Sequence, residues 1–274
     1  IESMKDAFSV KGYNVVVTGG YSGIGLGICT AYAQAGANVA ILGRNIKKGQ
    51  KTADELSVYG TKCIAVTCDV SDLNSVKAAK DAVFSEFDHI DVLVNCAGIA
   101  CTTHFLEDED LKEWYKVINT DLHGVANMTY VFAKPMVEYG KGGSIINISS
   151  IGGQRVSDAL PHPNPPYYAA KAGLDNFMRF LAIEFGSYGI RVNNIAPGPF
   201  HSELDAQMDP VMYENATKNM PMHRFGETIE LGAHCIYLSS PAGAQITGTV
   251  QVHDGGLMQV VLFGVLKIHL LRQA

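Results

Sequence analysis

The sequence predicts an α/β protein with a doubly wound parallel sheet and helices on both faces, which makes three layers in a single domain. First, apolar runs of strand length alternate with helix-length segments about six times along the chain. Second, most of these runs are continuously apolar, as expected for strands buried on both faces of a parallel sheet. Third, no linker or repeat divides the chain, so one domain over residues 1–256 is expected, followed by an apolar tail at 257–274.

The strand candidates are short runs, most of them rich in valine and isoleucine. They are YNVVVTGG (13–20), ANVAILG (37–43), KCIAVTCD (62–69), IDVLVNCAG (90–98), GSIINISS (143–150), IRVNNIAPG (190–198) and QVHDGG (251–256). The helix candidates cover residues 24–34, 47–59, 75–87, 111–139 (as one helix or two) and 167–189. Loops at 152–166 and 198–225 follow the carboxyl ends of strands, where open α/β sheets bind ligands, so both are predicted to be substrate loops.

The composition, with 47% hydrophobic and 18% charged residues, is typical of a globular protein with a full-sized core. The net charge is −6 and no basic block occurs, so nucleic acid is not expected as a partner. The six cysteines lack the paired spacing of a zinc site and mostly lie in apolar runs, which predicts no metal and favours a cytoplasmic location. The amino-terminal segment lacks the pattern of a secretion signal.

The chain ends in an apolar segment that is interrupted by Lys267. The run from Leu257 to Leu266 is too short to span a bilayer, which needs about 20 apolar residues, so a membrane partner is not expected. The segment favours a terminus that is buried or that contacts another subunit, with a membrane-surface anchor as the alternative.

The first predicted strand leads into TGGYSGIGLG, a glycine-rich turn before a helix. Glycines there allow a tight turn and close approach of the backbone to a pyrophosphate, while the helix directs its free N–H groups at the anion. Glycine spacing alone is a weak signal, and the position between strand and helix carries the prediction. The dinucleotide-binding residues predicted in this turn are Gly19, Tyr21, Ser22, Gly23, Ile24 and Gly25.

The end of the second predicted strand bears on which dinucleotide binds. An NAD site favours an acidic residue here to accept from the ribose 2′-OH, and this chain instead has Arg44 and Asn45. Arg44 would bind a 2′-phosphate through charge-assisted hydrogen bonds, which favours NADP(H), with NAD(H) as the alternative. Asp69, followed by Val70, closes the third strand where a carboxylate could accept from the adenine amino group, and Asp72 is predicted to cap a helix.

The stretch NPPYYAAKAG carries two candidate phenols beside a cation. Tyr167 and Tyr168 precede Lys171 by four and three residues, and both spacings share a helix face, so this pattern leaves the two tyrosines open. A free phenol has a pKa near 10, and a nearby cation lowers it towards the range useful for acid–base catalysis. The group therefore suits proton exchange with an oxygen whose carbon gains or loses a hydride.

Taken in order, TGGYSGIG, CDV, NCAG, IINISS, YYAAK and IAPG resemble the short-chain dehydrogenase/reductase family over nearly the whole chain, from about residue 11 to residue 256. The resemblance implies a Rossmann-type domain, a nicotinamide cofactor, a small carbonyl or alcohol substrate, and a homotetramer or homodimer. It implies a catalytic group of Asn119, Ser150, Tyr167 and Lys171, with Tyr167 chosen by the pattern Y-x-x-x-K. The interval from Ser150 to Tyr167 is about four residues longer than is usual in the family, so the loop must bulge.

Each member of this implied group has a role. Tyr167 would exchange the proton, Lys171 would lower the pKa of Tyr167 and also hold the cofactor ribose, Ser150 would orient the substrate oxygen, and Asn119 would hold a water that relays protons. The cofactor-binding residues that the resemblance adds are Asn95, Ala97, Gly98, Pro197, Gly198 and Ser202.

Polar side chains near the predicted loops favour a polyol or sugar-type ketone, mainly reduced because cellular NADPH is chiefly a reductant. A 3-oxoacyl thioester reductase is the alternative, since RFGETIEL and YYAAKAGL resemble that group equally and the loop methionines suit a less polar ketone. Two other classes remain, a non-catalytic nucleotide-binding regulator and a sugar-nucleotide epimerase. The complete Asn–Ser–Tyr–Lys set disfavours the first, and the absence of an added substrate domain disfavours the second.

Overall fold

One parallel sheet organises the molecule, a computed structural model that describes residues 1, 3–156, 164–201, 210–218 and 220–260. Its seven strands lie in the order β3-β2-β1-β4-β5-β6-β7. They are β1 (Asn14–Thr18), β2 (Asn38–Gly43), β3 (Cys63–Thr67), β4 (Val92–Asn95), β5 (Gly143–Ile148), β6 (Ile190–Pro197) and β7 (Val250–His253). The order reverses between β1 and β4, and ligands of such sheets bind beyond the strand ends at that point. The predicted doubly wound sheet and single domain are therefore confirmed.

Helices cover both faces of this sheet. They are α1 (Met4–Ala7), α2 (Gly23–Gln34), α3 (Ile46–Leu56), α4 (Leu73–Phe84), α5 (Lys112–Ile118), α6 (Gly124–Tyr139), α7 (Pro165–Gly186), α8 (Pro210–Lys218) and α9 (Thr228–Ser239). The Asp72 side chain accepts from the Asn74 N–H at 2.9 Å at the start of α4, which confirms the predicted helix cap. The helices α8 and α9 lie where the sequence reading placed a loop or no element.

The core is divided by the sheet into two apolar layers. Val16 faces the layer that contains Met128 and Phe132 of α6, together with residues of α4 and α7. Its neighbours Val15 and Val17 face the other layer, which is built from α2, α3 and α9. Because successive side chains of a strand point to opposite faces, a strand covered on both sides must be apolar throughout. This explains the continuous run in β1, whose five residues are all buried.

The predicted helix at 111–139 is interrupted in the structure. α5 and α6 are joined by a π-helical turn, Asn119–His123, which adds a residue to the turn and so rotates the side chains that follow it. π-helical turns are frequent at functional sites. The turn lies beside α7 and brings a buried acidic side chain, Asp121, to the crevice.

α2 and α9 approach each other closely at two glycines. A Cβ atom on Gly27 would overlap the Thr228 side chain, and a Cβ atom on Gly232 would overlap the Ala31 methyl group and lie 2.9 Å from the Gly27 carbonyl oxygen. The two glycines therefore make room for small side chains of the facing helix.

Within the ranges described, no helix combines the length and the apolarity that a bilayer crossing requires. The predicted tail from residue 261 onwards, parts of both predicted substrate loops and Ser202 lie outside the described residues.

Candidate active site

The crevice opens where β1 and β4 end side by side. The Thr18 hydroxyl oxygen accepts from the N–H groups of Cys96 and Ala97, both at 3.0 Å, which ties the glycine-rich turn to the end of β4. Gly19 has a φ of +68°, and a Cβ atom there would lie 3.1 Å from the Ala97 Cα. Ser22 is the N-cap of α2, whose first turn, described in full, carries no acidic side chain. The turn thus presents backbone and a helix start to the crevice, which suits an anion.

The remaining residues of the turn sit at the start of α2. Gly23 is the first residue of the helix and Gly25 is buried within it. Ile24 packs against the apolar layer that contains Val15 and Val17. The predicted turn residues therefore lie together between β1 and α2.

Tyr21 reaches from the turn to the end of β2. Its ring occupies the space in which a Cβ atom on Gly43 would stand, so position 43 has room only for glycine while the ring is there. The next residue, Arg44, is exposed. Asn45 caps α3 by accepting from the Lys48 N–H at 3.1 Å. Of the two residues predicted to bind the cofactor here, Arg44 is an exposed cation and Asn45 is a helix cap.

The end of β3 carries Asp69 and Val70. The hydroxyl and N–H of Ser71 donate to Asp69 Oδ1 at 2.7 and 3.0 Å. These bonds, helped by the charge of Arg44, hold the pKa of Asp69 below its usual value against the opposing effect of partial burial. Val70 is buried, and its carbonyl oxygen accepts from Asn127 Nδ2 at 2.9 Å.

Asn95 belongs to a ladder of buried amides. Its Nδ2 donates to Asn147 Oδ1 at 2.8 Å, Asn147 donates to Asn194 at 2.8 Å, and Asn194 donates to Asp175 Oδ1 at 2.8 Å. The ladder crosses β4, β5 and β6 and ends on α7, so it fixes these elements relative to one another. The structure thus places the Asn95 side chain inside the protein, in a positioning network.

Lys171 is held at the centre of the site although it is only 4% exposed. Its Nζ donates to the Ile148 carbonyl oxygen at 3.0 Å, lies 3.2 Å from Asp121 Oδ2, and is 5.3 Å from the centroid of the Tyr167 ring. The end of β5, the π-helical turn and α7 therefore meet at one ammonium group.

The two tyrosines diverge from this point. Their rings are edge to face, 6.4 Å apart at 87°. Tyr167 lies next to Lys171, whereas the Tyr168 ring packs against Gly152, where a Cβ atom would lie 3.0 Å from its Cε1. Ser150 precedes that glycine, and its Oγ accepts from the Gly152 N–H at 3.0 Å. The structure thus brings the cation to Tyr167 and seats the serine on an adjoining turn.

Asn119, predicted to hold a water that relays protons to Lys171, lies at the start of the π-helical turn. Its side chain is exposed, and its Oδ1 lies 2.9 Å from His123 Nδ1. The fully buried Asp121 stands by the lysine instead, and its Oδ1 accepts from the Ile99 N–H at 2.8 Å. A Cβ atom on Gly98 would lie 2.9 Å from Asp121 Oδ2, so this glycine makes room for the carboxylate.

The sequence does contain a signal for Asp121. Val117, Asp121 and Val125 follow one another at four-residue intervals, and all three are buried. Residues four apart share a helix face, and Asn119 lies off that face. The motif INTDLHG indicates Asn119 because of its residue type. The four-residue spacing of the buried side chains indicates Asp121.

Burial and the ion pair between Lys171 and Asp121 determine the direction in which the pKa values around the ammonium shift. Burial lowers the pKa of Lys171, but the Asp121 carboxylate and the Tyr167 phenol outweigh it, so this pKa is raised and the amine is held as a cation. Burial raises the pKa of Asp121 against the pull of Lys171. Burial raises the pKa of the neighbouring Cys96 thiol to about 12, so it carries no charge at neutral pH.

The substrate side of the crevice is less tightly bonded. Pro197 ends β6, and the Gly198 N–H donates to the His253 carbonyl oxygen at 3.0 Å. A cavity of about 150 Å³ adjoins it, with a lining that mixes charged, aromatic and methionine side chains. Its lining includes Phe200, Met220, Met222, Arg224, Glu230, His253 and Asp254. A wider surface groove of about 610 Å³ lies between α4 and α6, away from all these groups.

The chain is similar to known proteins over most of its length. A family model described as enoyl-(acyl carrier protein) reductase matches residues 14–258. A 3-oxoacyl-(acyl-carrier-protein) reductase of Chlamydia trachomatis is 37% identical over 243 residues, 88% of this chain and 96% of that protein. A sorbose reductase of Candida albicans is 35% identical over 253 residues, 92% of this chain and 89% of that protein.

Solved structures agree with the fold. A short-chain type dehydrogenase/reductase from Mycobacterium marinum matches with a TM-score of 0.87 at 32% identity, over 93% of this chain and 99% of that one. A gluconate 5-dehydrogenase from Burkholderia cenocepacia, in complex with NADP and tartrate, matches with a TM-score of 0.86 at 30% identity, over 94% of this chain and 99% of that one. The chain is an oxidoreductase and belongs to the short-chain dehydrogenase/reductase family.

Proposed function

We propose that this protein is an NADP(H)-dependent oxidoreductase that transfers a hydride between the nicotinamide and a ketone or secondary alcohol, mainly in the reductive direction. The observation that carries the proposal is the position of Lys171 Nζ, 5.3 Å from the Tyr167 ring, beside the crevice at the ends of β1 and β4. A cation and a phenol in that position are suited to proton exchange with a reacting oxygen.

A dinucleotide fits the residues present. The turn from Gly19 to Ser22 brings backbone to the crevice, and the start of α2 offers N–H groups with no acidic side chain in its first turn to oppose a pyrophosphate. When bound there, the nicotinamide supplies or accepts the hydride.

The chain's own residues supply the proton and the orientation. Tyr167 donates its phenolic proton to the carbonyl oxygen, and the Lys171 ammonium stabilises the phenolate that remains. Ser150 Oγ donates a hydrogen bond to the same oxygen as negative charge develops on it. In the oxidative direction the phenolate takes the proton back from the alcohol.

Preference for NADP(H) is supported by the end of β2. The Tyr21 ring fills the space beside Gly43, so a carboxylate that would select the ribose 2′-OH has no room at that position. Arg44 follows as an exposed cation that can reach a 2′-phosphate. The related gluconate 5-dehydrogenase was solved with NADP bound. NAD(H) is the alternative that the assay below tests.

A polyol or sugar-type ketone is the proposed substrate. Charged and imidazole side chains, among them Arg224 and His253, line the cavity beside β6, and hydroxyl-rich ligands need such partners. Relatives named as a sorbose reductase and a gluconate 5-dehydrogenase support this class. The second candidate is a 3-oxoacyl thioester, supported by the 37% identity to the chlamydial reductase and by Met220 and Met222 in the same cavity.

The test is a panel of keto-sugars, 3-oxoacyl thioesters and ring ketones, each assayed with NADPH and with NADH. Oxidation of NADPH by a keto-sugar at a higher kcat/KM than by any thioester supports the proposal. A preference for thioesters selects the second candidate. No turnover of any carbonyl compound, with nucleotide binding intact, would select the non-catalytic regulator.

A homotetramer or homodimer in the cytoplasm is part of the proposal. Phe180 and Ile183 of α7 are 62% and 82% exposed, and Tyr115 of the neighbouring α5 is 57% exposed. Exposed apolar side chains on two neighbouring helices favour contact with a second copy of the chain. All six cysteines are free, which suits a reducing compartment. Sedimentation analysis measures the assembly directly.

A further inference from the structure

One buried charge in the site has no task in the proposed reaction. It is the carboxylate of Asp121, fully buried, with its Oδ2 3.2 Å from Lys171 Nζ. We propose that Asp121 is a positioning residue that fixes the Lys171 ammonium and offsets its charge, so that Tyr167 keeps its proton to a higher pH than it would beside an uncharged residue at position 121. The inference rests on the proposed function for the role of Tyr167 and adds a determinant of its working pH.

The carboxylate is held against neighbouring backbone. Its Oδ1 accepts from the Ile99 N–H at 2.8 Å, and its Oδ2 lies 2.9 Å from the position that a Cβ atom on Gly98 would occupy, so the carboxylate packs closely on residues 98 and 99. Lys171 is in turn anchored by the Ile148 carbonyl oxygen at 3.0 Å. The ammonium thus lies between two fixed acceptors.

An amide cannot reproduce this arrangement. Both oxygens of Asp121 face donors, the Ile99 N–H on one side and the Lys171 ammonium on the other. An asparagine whose oxygen accepts from Ile99 would turn its NH₂ group towards the ammonium, donor against donor. The geometry at position 121 therefore specifies a carboxylate.

Seen from Tyr167, the buried ion pair is a dipole and not a net positive charge. A cation alone favours the phenolate, and an anion 3.2 Å from that cation cancels part of the effect. The reductive direction needs the protonated phenol, so the carboxylate keeps the site competent for reduction up to a higher pH. The oxidative direction needs the phenolate, so the carboxylate also moves the pH range of oxidation upwards.

Other titratable groups near the ammonium do not supply this effect. Cys96, at the end of β4, has a pKa raised to about 12 by burial and is neutral. Asp175 is buried one helical turn further along α7, and its Oδ1 accepts from Asn194 in the amide ladder. Tyr168, on the same helix, packs its ring against Gly152. Asp121 is the group in contact with the ammonium.

The test is a direct titration of Tyr167 in the nucleotide-free full-length chain. The ultraviolet absorbance of tyrosinate is followed against pH in the wild type and in Asp121→Asn, and each curve is corrected with the same protein carrying Tyr167→Phe. The titration midpoint of Tyr167 should fall by about one pH unit in Asp121→Asn, which is about tenfold more phenolate at a given pH below the midpoint. An unchanged or higher midpoint would overturn the proposal.

Asp175→Asn is the matched control, because it replaces a second buried carboxyl group, on the same helix as Lys171, whose Oδ1 bonds Asn194 and not the ammonium. Its midpoint should equal that of the wild type, and an equal fall in this variant would also overturn the proposal. Asp121→Ser is titrated in parallel, so that a folding defect of one replacement does not decide the outcome. If the protein turns over no carbonyl compound but the Tyr167 midpoint falls in Asp121→Asn, only the proposed function is refuted. If the protein is active but this midpoint does not change, only the role of Asp121 is refuted.

Discussion

The two sides of the crevice are built differently. On the cofactor side, Thr18, Asp121 and Lys171 are buried and hydrogen-bonded to strand ends and to the π-helical turn. On the substrate side, the segment before α9 relies on an exposed ion pair between Arg224 and Glu230 and on ring stacking. Chemistry common to many substrates needs fixed geometry, whereas substrate choice can reside in surface segments that tolerate change.

The largest effect is expected from Tyr167→Phe, which removes the proton donor from the rigid side. General acid–base catalysis contributes about 10²–10⁴-fold, so kcat should fall at least that far. NADPH affinity, measured by fluorescence titration, should survive. Tyr168→Phe is the matched control and should retain most turnover. Retained activity in the first variant and loss in the second would transfer the role to Tyr168.

Ser150→Ala should have the next largest effect. One hydrogen bond to an oxygen that gains charge typically contributes about 3 kcal/mol, which is about a hundredfold in kcat. Ser144→Ala, near the start of β5 and away from the crevice end of that strand, serves as the control and should leave kcat near the wild-type value. If both variants were equally impaired, the effect would be one of strand packing and not of catalysis.

Arg44→Ala tests the cofactor choice. Hydrogen bonds to charged groups contribute about 1.5–3 kcal/mol, so NADPH affinity should drop by tenfold or more while NADH affinity stays the same. Lys47→Ala removes a nearby exposed cation on α3 and should change neither affinity. Equal losses for both nucleotides in Arg44→Ala would contradict a contact with the 2′-phosphate.

The smallest effect concerns the substrate side. The Arg224 guanidinium binds both oxygens of Glu230, at 2.6 and 2.9 Å, and holds the pKa of that carboxyl at about 2. A depressed folded-state pKa stabilises the protein above the unfolded value near 4.5, and this contribution is lost as the pH falls to about 2. Since the pair is exposed, the effect on the free energy of unfolding should be about 1 kcal/mol or less.

Glu230→Gln should therefore lower the thermal midpoint slightly at pH 7 and not at pH 2. Differential scanning calorimetry at the two pH values measures this. If Glu230→Gln lowered the thermal midpoint equally at pH 7 and at pH 2, the ionised carboxylate would not be what stabilises the segment.

The sequence predicted the sheet because its information there is local. β1 and β4 are buried throughout and apolar at their centres, and that pattern follows directly from burial on both faces. The position of Asp121 depends on a π-helical turn, whose extra residue changes which side chain points inward. No residue type marks such a turn, so the motif INTDLHG by itself indicates Asn119, whereas the burial of Val117, Asp121 and Val125 shows which side chain faces Lys171.

The substrate side was harder to predict for a different reason. α8 is short and polar, and α9 begins at a capping box of Glu227 and Glu230 within a segment that was read as a loop or family motif. The position of α9 follows from its contacts with α2, which lies far away in the sequence. The sequence patterns of single elements do not contain such long-range contacts.

The close contact between α2 and α9 joins the two sides of the crevice. The Thr228 side chain packs on Gly27 and the Ala31 methyl group packs on Gly232, so a Cβ atom at either glycine would overlap the other helix. α2 begins at the anion-facing turn, and α9 begins directly after the segment that borders the cavity. A side chain at position 27 or 232 would therefore force apart the helix that starts at the glycine-rich turn and the helix that follows the cavity.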